Sequence, residues 1–310
     1  MTTLLLAFAF ATPAKAANRP SPTPVYVANG LLSVIPEGGG APTVVNSDLN
    51  DANGVALSKS GDVYIADTGN NRIVKIATGG SATVVRSGLN RPLAVAVDSD
   101  DNIYVADFGS NRVLRISAAD ATIATVGTGI VGPRGVAVDN TGILYVSDQS
   151  NRVFKILMDG TQTVVPTFGF ANPYGLAVDG ANNLYVVDFS NGQHGFGAIY
   201  RVPSNGGAIR VINPPTLPSN SPPFQPTGIA VDGDGTIYYA AASIVVAKSI
   251  ECDRSVVLAT HLDWADIPGT SVPRGVAVSS GPVTGPSLCG GIGSTSSVGS
   301  TGSGSYLGTF

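Results

Sequence analysis

Residues Pro133 to Leu157 read PRGVAVDNTGILYVSDQSNRVFKIL, and the fold is decided in this stretch. Its apolar positions form short runs with period two: Gly135 to Val138, Ile143 to Ser147 and Val153 to Ile156. Successive side chains of a strand point to opposite faces, so these runs predict three strands. Asp139-Asn140-Thr141-Gly142 and Asp148-Gln149-Ser150-Asn151 lie between them and are built from turn residues, which makes the strands consecutive and antiparallel. A fourth strand is expected at Gln162 to Val165. One such meander has little to bury by itself and needs a neighbour on each face.

The chain supplies those neighbours by repeating the pattern. It begins again at Asn53, Pro92, Pro173, Pro226 and Pro273. The starts lie roughly 40 residues apart, stretching to about 50 after Pro173, which is the period of a β-propeller whose sheets stack around an axis. The ends fix the number of blades. Residues 25 to 49 resemble the second to fourth strands of a unit, whereas the segment from Pro273 (PRGVAVSS) resembles a first strand alone. Joined as one composite blade, they close a ring around five complete units and remove its open edges. The expected fold is therefore all-β, a six-bladed β-propeller over residues 25–279.

Composition agrees with many tight turns: there are 39 Gly and 21 Pro. With a formal charge of -4 and 17 Lys and Arg scattered singly, the chain lacks the basic stripe of a nucleic-acid surface. No apolar run is long enough to span a membrane. Leu4 to Ala11 is apolar and Ala14-Lys15-Ala16 has the form of a cleavage site, so residues 1–16 read as a signal peptide without its usual basic start. Residues 17–24 form a Pro-rich lead, and residues 280–310 a C-terminal extension ending in a Gly/Ser-rich tail. Export would permit a disulfide between Cys252 and Cys289, tying that extension to the last complete blade.

Several residues recur at fixed places. The second strand ends in Tyr-x-x-Asp at Tyr64–Asp67, Tyr104–Asp107, Tyr145–Asp148 and Tyr185–Asp188. Strand alternation sends the Tyr into the interface with a neighbouring blade, where packing rather than catalysis is its expected task. The following turn ends in Asn71-Arg72, Asn111-Arg112 or Asn151-Arg152. Repetition in three blades argues for fastening, with each Arg reaching an Asp of its own or of an adjacent unit. Asp98, Asp139, Asp179 and Asp232 end first strands and are expected to cap turns; a cation-binding ring of carboxylates is the other reading.

The succession Pro-x-Gly-Val-Ala-Val-Asp, Leu-Tyr-Val-x-Asp, Asn-Arg-Val resembles the NHL-repeat family, best at Pro92 to Ile116 and Pro133 to Ile156. The resemblance covers residues 25 to 279. It implies the propeller fold and is less specific for function, since NHL propellers include RNA-binding and protein-binding modules, extracellular sensor domains of bacterial receptor kinases, and an amidating lyase. The exported, acidic character is most similar to the extracellular bacterial group. The lyase's metal centre uses several histidines, whereas this chain has only His194 and His261. Related six-bladed lactonases hold calcium through carboxylates and amides.

Candidate functional residues lie where the repeat breaks. Blade five, counting the composite blade as the first, loses Asn-Arg in Phe189 to Ala198 and gains His194 and Phe196. Its long connection to blade six, Asn213 to Gln225, carries Phe224, and the connection after blade six carries His261, Trp264 and Asp266. Topology gathers these on one rim, joined by Phe168 and Phe170, as a contact platform or as packing beneath their own loops. At the channel mouth, the residues inside Pro-x-Gly or its counterpart are Asn53, Leu93, Arg134, Tyr174, Thr227 and Arg274. They could engage a carboxylate, phosphate or sugar, or simply be solvated.

No dinucleotide loop or Gly-x-Ser-x-Gly elbow is present. The sequence on its own therefore favours a non-enzymatic extracellular or cell-envelope binding propeller, recognising a protein or envelope glycan through the rim of blades five and six and needing no cofactor. The alternative is a metal-assisted lyase or lactonase at the channel mouth, with calcium or zinc held by His and Asp.

Overall fold

The computed structural model describes residues 24–36, 41–46, 48–166, 170–189, 197–212, 226–232, 235–241, 244–250, 255–259 and 275–278. These form six four-stranded antiparallel sheets, each a blade. The fourth, built from the decisive stretch, runs Pro133–Val138, Leu144–Asp148, Val153–Ile156 and Gln162–Val164. Blades two, three, five and six begin with Ala52–Leu57, Pro92–Val97, Pro173–Val178 and Pro226–Val231. Blade one is composite: Gly275–Ala277 pairs with Val25–Ala28, in the register Tyr26 to Ala277 and Ala28 to Gly275. The innermost strands touch one another in succession all the way round, so the ring is closed.

The core is divided among the seams between blades. Leu144 and Val146 pack with Tyr104 and Val113 toward blade three, whereas Tyr145 packs with Leu176, Leu184 and Val186 toward blade five. One strand thus feeds two cores through its period of two. The same arrangement closes the first seam, where Ala28, Leu32 and Ala277 meet Val55 and Ile65, and the last, where Val25 and Val276 meet Ala240 and Val245.

The glycine of Pro-x-Gly has a packing reason. A Cβ on Gly54 would lie 2.6 Å from the Ala94 Cα of the next blade, and one on Gly135 would be driven into the Tyr174 carbonyl. Backbones of neighbouring innermost strands approach too closely there for a side chain. Ser147 completes the junction: its buried hydroxyl donates to Tyr174 O at 2.6 Å and accepts from Gly135 N.

The recurrent Asp residues are fasteners of two kinds. Asp67, Asp107 and Asp148, fully buried, end second strands and pair with Arg72, Arg112 and Arg152 of their own blades at 2.6, 2.8 and 2.6 Å. Asp67 and Asp107 also accept the amides of Asn50 and Asn90, clasping the incoming connection. Asp188 does the same with Ala171 and Asn172. The preceding Asn residues take left-handed backbone at Asn71, Asn111 and Asn151, and the first two reach forward to the amides of Arg91 and Gly132. The Asp residues ending first strands cap turns: Asp98 accepts from Asp100 and Asn102 amides, and Asp139 from Thr141 and Ile143.

Candidate functional site

The innermost strands frame a small cavity of about 50 Å³ on the propeller axis. Leu93, Arg134, Tyr174 and Thr227 line it, together with the backbone around Gly54 and Gly175.

Among the described residues Arg134 is the charged group of this cavity. Its guanidinium lies 5.7 Å from the centroid of the Tyr174 ring, and its Nη1 donates to Asn172 Oδ1. A cation over an aromatic face is held by the ring quadrupole, so the arginine is oriented from two sides. The Tyr174 ring is in turn 6.3 Å from that of Phe189. Together these groups present oriented N–H donors to an oxygen entering the mouth, which is the chemistry of binding a carboxylate or stabilising a developing oxyanion.

Asn53, expected at the same mouth, is turned into its own blade. It is buried, and its Nδ2 donates to Asp51 O and to Thr68 Oγ1 at 2.9 and 2.8 Å. Thr68 then donates to Pro92 O at 2.6 Å, so this chain of bonds ties blade two to blade three. Phe170 is buried as well, edge-on to Tyr200 with ring centroids 5.2 Å apart, and it packs in the seam between blades four and five. Arg274, His194, Phe196, Phe224, His261, Trp264, Asp266 and Phe168 lie outside the described residues, as do Cys252 and Cys289.

Among the described residues no three His, Cys, Asp or Glu side chains converge to hold a metal. The described side chains at the axial cavity suit a cation poorly, because Arg134 repels it and Leu93 offers no donor. No helix among the described residues is long and apolar enough to cross a membrane.

A second hollow, in the seam between blades four and five, was not anticipated from sequence. It measures about 460 Å³ and is lined by Tyr145, Lys155, Val164, Asn182 and the turn after residue 202. Its sequence signal is Ile143, which stands two residues before Tyr145 where the other complete blades carry Asp62, Asn102, Asn183 and Thr236 before their tyrosines.

Comparison with known proteins places these observations. The NHL repeat model matches residues 49–76 and 89–116, within blades two and three and the connections into them. No curated protein matches the sequence closely enough to count as a relative. Among solved structures, the chain is similar to one in a nidogen/laminin complex, with TM-score 0.68, 19% identity, and 83% of this chain and 97% of that one covered. It is similar to virginiamycin B lyase from Staphylococcus aureus, with TM-score 0.54, 18% identity and 75% of each chain covered. It is also similar to a gluconolactonase from Xanthomonas campestris, with TM-score 0.57, 14% identity, and 84% and 89% covered.

These likenesses correct the expectation of a non-enzymatic protein. The propellers that superpose over most of both chains include lyases and a gluconolactonase, so the fold gives no ground for preferring a non-enzymatic protein. The narrower likeness to extracellular bacterial NHL-repeat proteins does not emerge from the same matches. The chain is a six-bladed β-propeller with the NHL repeat matched in blades two and three.

Proposed function

We propose that this protein is an enzyme of the lyase or lactonase type, working at the axial mouth, where Arg134 binds and polarises a carbonyl or carboxyl oxygen of the substrate. The observation that carries the reading is the Arg134 guanidinium, lining the axial cavity, fixed by Asn172 and stacked over Tyr174. Similar solved propellers that are lyases and gluconolactonases support it. Among the described residues Asn172 takes one N–H of Arg134, and the remaining donors are available to an oxygen on which negative charge develops. Among the described residues no side chains make a metal site at the axis. The signal-like residues 1–16 support export of the enzyme, and in that setting Cys252 and Cys289 pair.

The test is a turnover assay of the purified chain against a panel of lactones, glucono-lactone included, and a streptogramin B antibiotic. We expect turnover of at least one, with kcat/KM lowered about 100-fold or more in Arg134→Ala, as for loss of one oriented oxyanion donor. Absence of turnover across the panel, or an Arg134→Ala variant as active as the parent, overturns the proposal.

A further inference from the structure

The seam hollow between blades four and five shares no lining residue with the axial cavity and needs its own account. Its walls are largely apolar, contributed by Val164, Val165, Leu184, Val202 and Pro203. Val164 is exposed although it belongs to a strand. A concavity of about 460 Å³ falls in the range of small-molecule sites, about 300–1,000 Å³.

Two polar groups enter this apolar space. Lys155 lies directly across the sheet from Tyr145. The equivalent pair in blade two is Tyr64 and Lys75, and there Lys75 is neutralised by Asp62 at 2.7 Å. In blade four Ile143 occupies the place of Asp62, no carboxylate lines the hollow, and Lys155 forms no ion pair among the described residues. Tyr145 repeats the contrast. Tyr104, Tyr185 and Tyr238 donate to Asp98, Asp179 and Asp232 at 3.1, 3.0 and 2.9 Å. Asp139 instead takes the Thr141 hydroxyl at 2.7 Å, and the Tyr145 hydroxyl makes no hydrogen bond among the described residues. Burial, aided by Asp139 behind it, pushes the Tyr145 phenol up to about 12, so it remains a donor at neutral pH.

Asn182 also lines the hollow, but its side-chain oxygen is buried too deeply to meet a molecule held there. The hollow thus offers a cation and a hydroxyl for an acid group, and apolar walls for a hydrocarbon body.

We propose that this hollow binds a small amphiphilic monocarboxylate. Lys155 and Tyr145 receive the carboxylate, and Val164, Val165 and Pro203 cover the apolar tail. The site is independent of chemistry at the axis.

Calorimetric titration of the full chain with N-octanoylglycine, and with its uncharged amide N-octanoylglycinamide, tests the assignment. The acid is expected to bind at sub-millimolar concentration, and the amide about tenfold or more weaker, because a charge-assisted bond is lost. Lys155→Met should weaken the acid by a similar factor, and Lys155→Arg should keep binding within about threefold, separating loss of charge from loss of fold. Arg134→Ala at the axis should leave affinity unchanged. No heat at millimolar acid, equal affinity for the amide, or binding abolished by Arg134→Ala but not by Lys155→Met would each overturn the proposal.

Discussion

Blades two and four are built from the same pattern and differ in what they do with one lysine. In blade two, Lys75 and Asp62 satisfy each other beside Tyr64. In blade four, Lys155 and Tyr145 face a hollow, because Ile143 has replaced the acid. The strands pair in the same way, and a buried Asp–Arg pair closes both blades. A propeller therefore separates two kinds of residue: those needed six times to hold sheets together, and those whose departure from the repeat frees a group for a single task. The position inside Pro-x-Gly or its counterpart belongs to neither kind alone, since it is Asn53, Leu93, Arg134, Tyr174, Thr227 and Arg274 in turn around the ring.

The comparison can be broken at the first kind of residue. Asp107→Ala removes the acceptor for both the Asn90 amide and Arg112 Nε, and it should lower stability by about 2–4 kcal/mol in urea unfolding. Arg112→Met should cost less than about 1 kcal/mol, since its side chain is 38% exposed. Equal losses for the two would show that the ion pair, and not the clasp on the backbone, fastens the blade. Gly135→Ala should destabilise by about 1–3 kcal/mol, because the new methyl meets the Tyr174 carbonyl across the seam. Blade three already carries Ala94 at the equivalent position, so a thermal melt unchanged by Gly135→Ala would mean that the seams are interchangeable.

The smallest effect concerns the paired lysine itself. Asp62 is lowered from 3.8 to about 2, first by its hydrogen bond from Lys75 and further by Thr78. A carboxylate with a depressed folded-state pKa stabilises the protein fully above its unfolded value and loses that contribution as pH falls through the folded one. Asp62→Asn should therefore remove at most about 1 kcal/mol near neutrality, a salt-sensitive amount. It should also reduce the loss of stability seen between pH 3.8 and about 2 in acid unfolding. If the acid limb keeps its full slope in the variant, the pair in blade two contributes nothing that blade four lacks.

The ring was legible in the sequence because its causes are local and repeated. Period-two runs, turn residues and the Tyr-x-x-Asp ending each recur often enough to be read without knowing their partners. The split between N- and C-terminal parts of blade one was legible for the same reason, as each end lacks what the other carries. Partners across seams were not legible. Asn53 looked like a mouth residue, but its short amide finds Thr68 before it finds the axis. Phe170 looked available for a rim, but Tyr200 and the seam take it in. The hollow beside Tyr145 depends on an absence, Ile143 for a polar residue, and on a turn of the next blade that no local pattern connects to it. The expectation of a non-enzymatic protein rests on missing catalytic motifs and on residues gathered at a rim, and neither speaks to an arginine at the axis.

The pairing of Val25–Ala28 with Gly275–Ala277 also bears on how the chain reaches its fold. Those two segments lie at opposite ends of the propeller sequence, so during synthesis the first blade waits for nearly the whole chain. Until then Val25 and Val27, fully covered in the finished ring, sit on an unpaired strand edge of the kind that recruits other chains. Closing the loop between them is among the longest-range events the molecule can undergo, and such contacts form slowly. The seam that completes the ring is thus also the step at which a slowly made or overproduced copy is most exposed to aggregation.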